Sequence, residues 1–95
     1  MNRWRFSPKA RQELAAIWHH SADQWGIDQA ERYIWQVEHD LAAAAAGSPL
    51  LRPFEGYLRI GSGRHVCVLR RDMDGGLIVL RVLHQSQDIP TRLKD

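Results

Sequence analysis

Alternation opens the chain. In Asn2-Arg3-Trp4-Arg5-Phe6 the apolar residues Trp4 and Phe6 fall on one side and Arg3 and Arg5 on the other, the period of two that predicts a half-buried strand. Ser7 before Pro8 is the signature of a helix start, with serine at the N-cap and proline where its missing N–H costs nothing. Ala10, Leu14, Ile17, Ser21 or Ala22, and Trp25 then recur at steps of three and four. They predict a helix over Pro8 to Trp25 that stops at Gly26. Asp28 and Glu31 match a capping box for a second helix, whose stripe is Ala30, Tyr33 or Ile34, Val37, Leu41 and Ala44 or Ala45. It closes at Gly47-Ser48-Pro49, and so short a turn between the helices predicts an antiparallel hairpin.

The period changes after residue 48. Ser48 to Gly56, with two prolines, reads as a loop, and from Tyr57 three strand-like runs follow: YLRIG, RHVCVLRR and LIVLRVLH. Glycine-rich connections separate them, predicting an antiparallel meander. Parity groups Arg64 with Val66, Val68 and Arg70, and His65 with Cys67, Leu69 and Arg71. A regular last strand puts Arg81 with Leu77, Val79 and Leu83, and His84 with Ile78, Leu80 and Val82. Only a bulge or bend alters that grouping. The expected fold is α+β, ordered β-α-α-β-β-β, with the helical hairpin on one face of a small antiparallel sheet and residues 1–95 forming a single domain.

Composition changes this picture little. At 44% hydrophobic and 25% charged the chain has the make-up of a packed globular domain, and four Trp supply large apolar surfaces to a small core. Cys67 has no partner for an internal disulfide, which suits a reducing, cytoplasmic setting. Neither a signal-peptide pattern nor a run long enough to span a bilayer is present, so no membrane role is expected. Charge is unevenly spread: residues 1–48 carry five Lys/Arg against six Asp/Glu, and residues 49–95 eight against five. The basic second half suits an acidic partner.

Beyond these patterns, FSPKARQEL, WGIDQAERYI at the helix junction, GRHVCVLRR and RVLHQSQDI, taken in this order, resemble the RelE/ParE superfamily of toxins from type II toxin–antitoxin modules. Within it the chain looks most like ParE. The resemblance implies a ParD-like antitoxin whose C-terminal segment wraps the toxin, and DNA gyrase as the target, inhibited by binding. The RelE branch implies instead a ribosome-dependent mRNA endoribonuclease on the same fold. In ParE-like chains a Met-Asp pair usually follows the Leu-His. Here Gln87 precedes Asp88, a departure in a segment often implicated in toxicity.

Side-chain chemistry weighs between the branches. RNA cleavage needs a base, an acid and cations around a phosphate. Arg64, Arg81 and His84 are the candidates for that alternative, but the strands lack a tyrosine after Tyr57 and any lysine. Arg81 is expected to form a structural ion pair with Asp88 or a helix carboxylate. His84 is expected to bond the backbone and fix the tail, and Asp88 to cap a last turn leading to Leu93. Arg59, Arg64, Arg70 and Arg81 are candidates for target or antitoxin contact. Trp18, Trp25 and Trp35 are expected in the core or between helices, with Trp18 or Trp35 as a possible exposed antitoxin anchor. Cys67 reads as a buried hydrophobe, the histidine spacing offers no metal set, and neither a cofactor nor direct sequence-specific nucleic-acid binding is expected.

Overall fold

The computed structural model describes residues 3–94, so Asn2, assigned to the first strand by its alternation, lies outside the described residues. The elements are β1 (Trp4–Phe6), α1 (Pro8–Trp25), α2 (Ile27–Ala45), β2 (Arg52–Phe54), β3 (Tyr57–Ser62), β4 (His65–Arg71), β5 (Leu77–His84) and α3 (Ile89–Arg92). They form one five-stranded sheet in the order β1-β5-β4-β3-β2. The expected α+β architecture is present, with two corrections. β1 lies parallel to β5, so the sheet is mixed, and the expected loop contains β2, a short edge strand paired antiparallel to β3. Two prolines near an edge strand are no obstacle, because an edge residue need not donate to a ladder on its outer side.

Local chemistry sets the helix ends. Ser7 caps α1, its Oγ accepting from the Ala10 N–H at 3.1 Å, and Gly26 ends the helix with φ +93°. That same glycine is the N-cap of α2, and no side chain caps the helix. The capping box expected of Asp28 and Glu31 is therefore absent. Asp28 sits inside the first turn, where its charge still favours the positive end of the helix dipole.

Both helices cover one sheet face. Ala10, Val37, Leu41 and Ala44 meet Ile60, Cys67, Leu69, Leu77, Val79 and Val82 in the main core. A second cluster, Val66, Val68, Leu83 and Ile89 with Phe54 and Leu93, lies on the reverse face under α3. The β4 parity is therefore as expected, with Cys67 and Leu69 on one side and Val66 and Val68 on the other.

β5 departs from regularity. Val68 is the register partner of Arg81 and Leu69 that of Val79, which leaves Leu80 as an extra residue in a bulge. The bulge inverts the expected grouping downstream: Val82 joins Leu77 and Val79 in the main core, and Leu83 turns to the reverse cluster. Arg81 and His84 both follow the bulge, so their separation by an odd number of positions still divides them along the strand.

β1 covers only the first half of β5. Beyond it, side chains take over the ladder: the Ser7 N–H and Oγ–H donate to the carbonyls of Val79 and Leu80, and Glu13 Oε1 accepts from the Val82 N–H at 2.8 Å. Glu13 Oε2 also accepts from Arg81 Nε and Nη2, at 3.0 and 2.9 Å. Arg81 Nη1 donates to the Arg92 carbonyl at 2.7 Å, tying α3 to the strand.

With side chains only 11% and 19% exposed, the Arg81–Glu13 pair is nearly dry. Removing Glu13 strands Arg81 and frees the Val82 N–H. Glu13→Ala should cost about 3 kcal/mol in denaturant unfolding, and Glu13→Ala with Arg81→Met should cost less than the sum of the single changes. A loss below about 1 kcal/mol would show that the pair contributes little.

Candidate functional site

An open groove of about 1000 Å³ lies where the hairpin tip overhangs the β3–β4 turn and the end of β5. Its walls include Ile17, His20, Gln24 and Trp25 from α1, Gln29 and Tyr33 from α2, and Gly63, Arg64, His65 and His84 from the sheet end. No carboxylate is among its lining residues. His65 and His84 are register partners on adjacent strands, and their rings stand edge to face with centroids 5.3 Å apart. Tyr33 extends the row, its ring 5.5 Å from that of His65.

The tyrosine hydroxyl organises this end of the molecule. It accepts from the Arg64 N–H at 3.0 Å and lies 3.3 Å from the Ser62 carbonyl and 2.6 Å from His65 Nδ1. The hydroxyl has one proton for two neighbours, the Ser62 carbonyl and His65 Nδ1, and through them it ties the strand end and the imidazole to α2. Burial holds the His65 imidazole below the ordinary histidine range, and the nearby His84 and His20 add to the effect. The Tyr33 hydroxyl is held above its usual range, mainly by burial, with the Arg64 N–H acting in the opposite direction. Both groups are therefore neutral near pH 7.

Gly63 makes the close approach feasible. Its φ is +58°, and a Cβ there would lie 2.6 Å from the Tyr33 hydroxyl oxygen. Nearby, Ser62 donates to Asp40 of α2 at 2.6 Å, fixing the strand end to the helix. His84 is held separately: its Nδ1 accepts from the Ser86 N–H at 3.1 Å, and its own N–H donates to Gln87 Oε1 at 2.8 Å. The residue that departs from the ParE-like pattern thus covers the last open N–H of the β5 edge.

The other residues singled out from sequence are dispersed. Arg64 borders the groove, whereas Arg59 lies on the reverse face with its guanidinium 5.0 Å from the centre of the Phe54 ring. Arg70 is exposed on β4, and its Nη1 donates to the Arg71 carbonyl. Arg81 is tied to a helix carboxylate, that of Glu13, while Asp88 accepts from the Thr91 N–H and Oγ1–H and caps α3. A small recess beside the groove is bordered by both Arg81 and His84, yet the guanidinium is already bonded to Glu13 and to Arg92.

The tryptophans correct an expectation. Trp25 and Trp35 are 69% and 61% exposed, and neither belongs to the core. Trp25 ends α1 beyond the reach of the sheet, and Trp35 lies on the outer face of α2. Trp18 is half-buried, with its ring edge-on to His19. Burial pushes the Cys67 thiol up to about 12, which keeps it protonated and unreactive.

Sequence reasoning did not single out Tyr33, His20 or Glu13. The one available signal was weak: a tyrosine in an apolar stripe needs a partner for its hydroxyl when buried.

A helical hairpin on a mixed five-stranded sheet is a fold this chain shares with chains of solved toxin–antitoxin structures. The chain superposes with a TM-score of 0.73 on a chain of the chromosomal ParDE toxin–antitoxin system from P. aeruginosa, at 18% identity over 85% of this chain and 92% of that one. A chain of the RelBE2 toxin–antitoxin complex from Mycobacterium tuberculosis gives a TM-score of 0.62 at 19% identity, covering 88% and 91%. In sequence, the family described as ParE toxin of type II toxin–antitoxin system, parDE, matches residues 4–89. Toxin ParE1 of M. tuberculosis is 35% identical over 97% of this chain and 98% of its own length. Toxin ParE1 of Caulobacter vibrioides is 32% identical over 98% and 99%, and Toxin ParE of Escherichia coli 30% over 100% and 96%. The chain belongs to the ParE toxin family.

A pH dependence follows from the His65 environment. Its folded pKa is depressed, so the unfolded chain binds the proton more readily. The stability linked to a neutral His65 is complete above about pH 6.5 and is lost as pH falls below that value toward the folded pKa. Chemical denaturation between pH 7.5 and 5 should show this loss, and His65→Phe should flatten it. An unchanged pH slope in that variant would remove the assignment.

Proposed function

We propose that this ParE toxin acts in the cytoplasm, is neutralised by a ParD-like antitoxin, and inhibits DNA gyrase by binding, with no catalysis of its own. The observation that carries the absence of catalysis is the engagement of Arg81. Its guanidinium is bonded to Glu13 and to the Arg92 carbonyl, so the cation best placed on β5 is withdrawn from any phosphate. The gyrase target draws its support from the ParE membership. The antitoxin draws its support from the toxin–antitoxin complexes that share the fold.

One observation favours the second reading, mRNA cleavage on the ribosome. Arg64, His65 and His84 border one groove, and two imidazoles side by side are an acid–base pair in principle. The depressed pKa of His65 and its bond to Tyr33 argue against the imidazolium needed to protonate a leaving oxygen.

Purified toxin added to gyrase should block supercoiling or trap cleaved DNA, while mRNA in a parallel cell-free translation reaction stays intact. Cut mRNA with unaffected gyrase would reverse the two readings. The basic half of the chain also predicts electrostatic steering by an acidic antitoxin. The association rate should fall about tenfold or more from 50 to 500 mM salt, with Arg59→Glu and Arg70→Glu each slowing it at low salt. A rate that stays flat across that range would remove steering from the account.

A further inference from the structure

The groove at the hairpin tip offers hydrogen-bond donors of fixed orientation. His84 Nδ1 is committed as an acceptor, because the Ser86 main-chain N–H can only donate to it. His65 Nδ1 is committed by Tyr33 at 2.6 Å. With Nδ1 accepting, the His84 ring carries its proton on Nε2. Both imidazoles line the groove side by side. Arg64 stands at the rim with the fixed charge, and Gln24 and Gln29 add amides.

Charge narrows the ligand class. The lining supplies one guanidinium, no lysine and no carboxylate, and its central imidazole is held neutral. A phosphate dianion calls for more cations than the one guanidinium of this wall. A single negative charge presented by an acceptor-only group, a carboxylate, fits the set. Beside the donors lie Ile17, Ala16 and the indole of Trp25, so the ligand also has an apolar portion. A tryptophan left 69% exposed next to polar groups of fixed orientation has the composition of an interface anchor.

We propose that this groove is a docking site for an acidic peptide segment, in which one Asp or Glu carboxylate is received by Arg64 beside the imidazoles of His65 and His84 while an adjacent apolar side chain covers Trp25. The inference rests on the antitoxin reading above and identifies that partner as the source of the segment. It places the segment's key carboxylate at the hairpin tip, away from the arginines of the reverse sheet face. Tyr33 acts as a positioning residue, holding the His65 ring through Nδ1.

The test uses the full chain and a ParD-like antitoxin co-expressed with it. Arg64→Ser and Trp25→Ser change exposed side chains and should leave thermal melting unaltered, while each weakens antitoxin binding at least tenfold in calorimetry. His84→Phe should do the same, and Met73→Ser, a fully exposed apolar residue in the β4–β5 turn, should change nothing. Titration of the free toxin with acetate should move the imidazole ¹⁵N signals of both rings.

Unaltered affinity in Arg64→Ser combined with His84→Phe would overturn the proposal while leaving the antitoxin reading intact. Failure of any antitoxin to bind the unaltered toxin would overturn both. A response of the imidazoles to inorganic phosphate or AMP, with none to acetate, would assign the groove to a nucleotide and overturn the peptide.

Discussion

The architecture depends on how the free edge of β5 is closed. β1 is only three residues long and pairs with the start of β5, leaving the N–H groups of Val82 and His84 beyond any backbone partner. An uncovered edge costs stability and invites pairing with another chain. Here the covering is done by side chains, Glu13 from α1 and Gln87 from the tail. Glu13 also holds Arg81, and Arg81 holds the last turn, so one carboxylate joins the first helix, the fifth strand and the C-terminal segment.

That arrangement has a functional consequence. In a fold shared by toxins of different chemistry, function lies in the side chains at the site. Arg81 bound to Glu13 is a structural cation, and its withdrawal leaves the sheet end to Tyr33, His65 and His84, whose side chains are held by hydrogen bonds to their neighbours. Trp25 borders the groove at the hairpin tip, and Trp35 stands exposed on α2.

Much of the fold was legible in the chain itself. The caps and stripes of the helices are local, and Ser7, Pro8 and Gly26 act within a few residues of their own positions. The capping box failed because Gly26 already turned the chain, so helix α2 began before Asp28 could serve as its cap. β2 escaped notice because three residues with a proline show no period and pair only because β3 lies alongside. The tryptophans were misplaced because a stripe shows which helix face is apolar but not how far the sheet beneath it extends.

By itself the sequence determined the order and type of the main elements, the faces of β4 and the family resemblance, since each is written in neighbouring residues. The tertiary structure alone decided the parallel place of β1, the bulge at Leu80, the pairing of Glu13 with Arg81 across 68 positions, and the meeting of Tyr33 with His65 across 32. The reason is physical: contacts between residues so far apart leave no period in the chain. Which polar groups meet is fixed only when the sheet closes on the helices and each buried donor must find an acceptor.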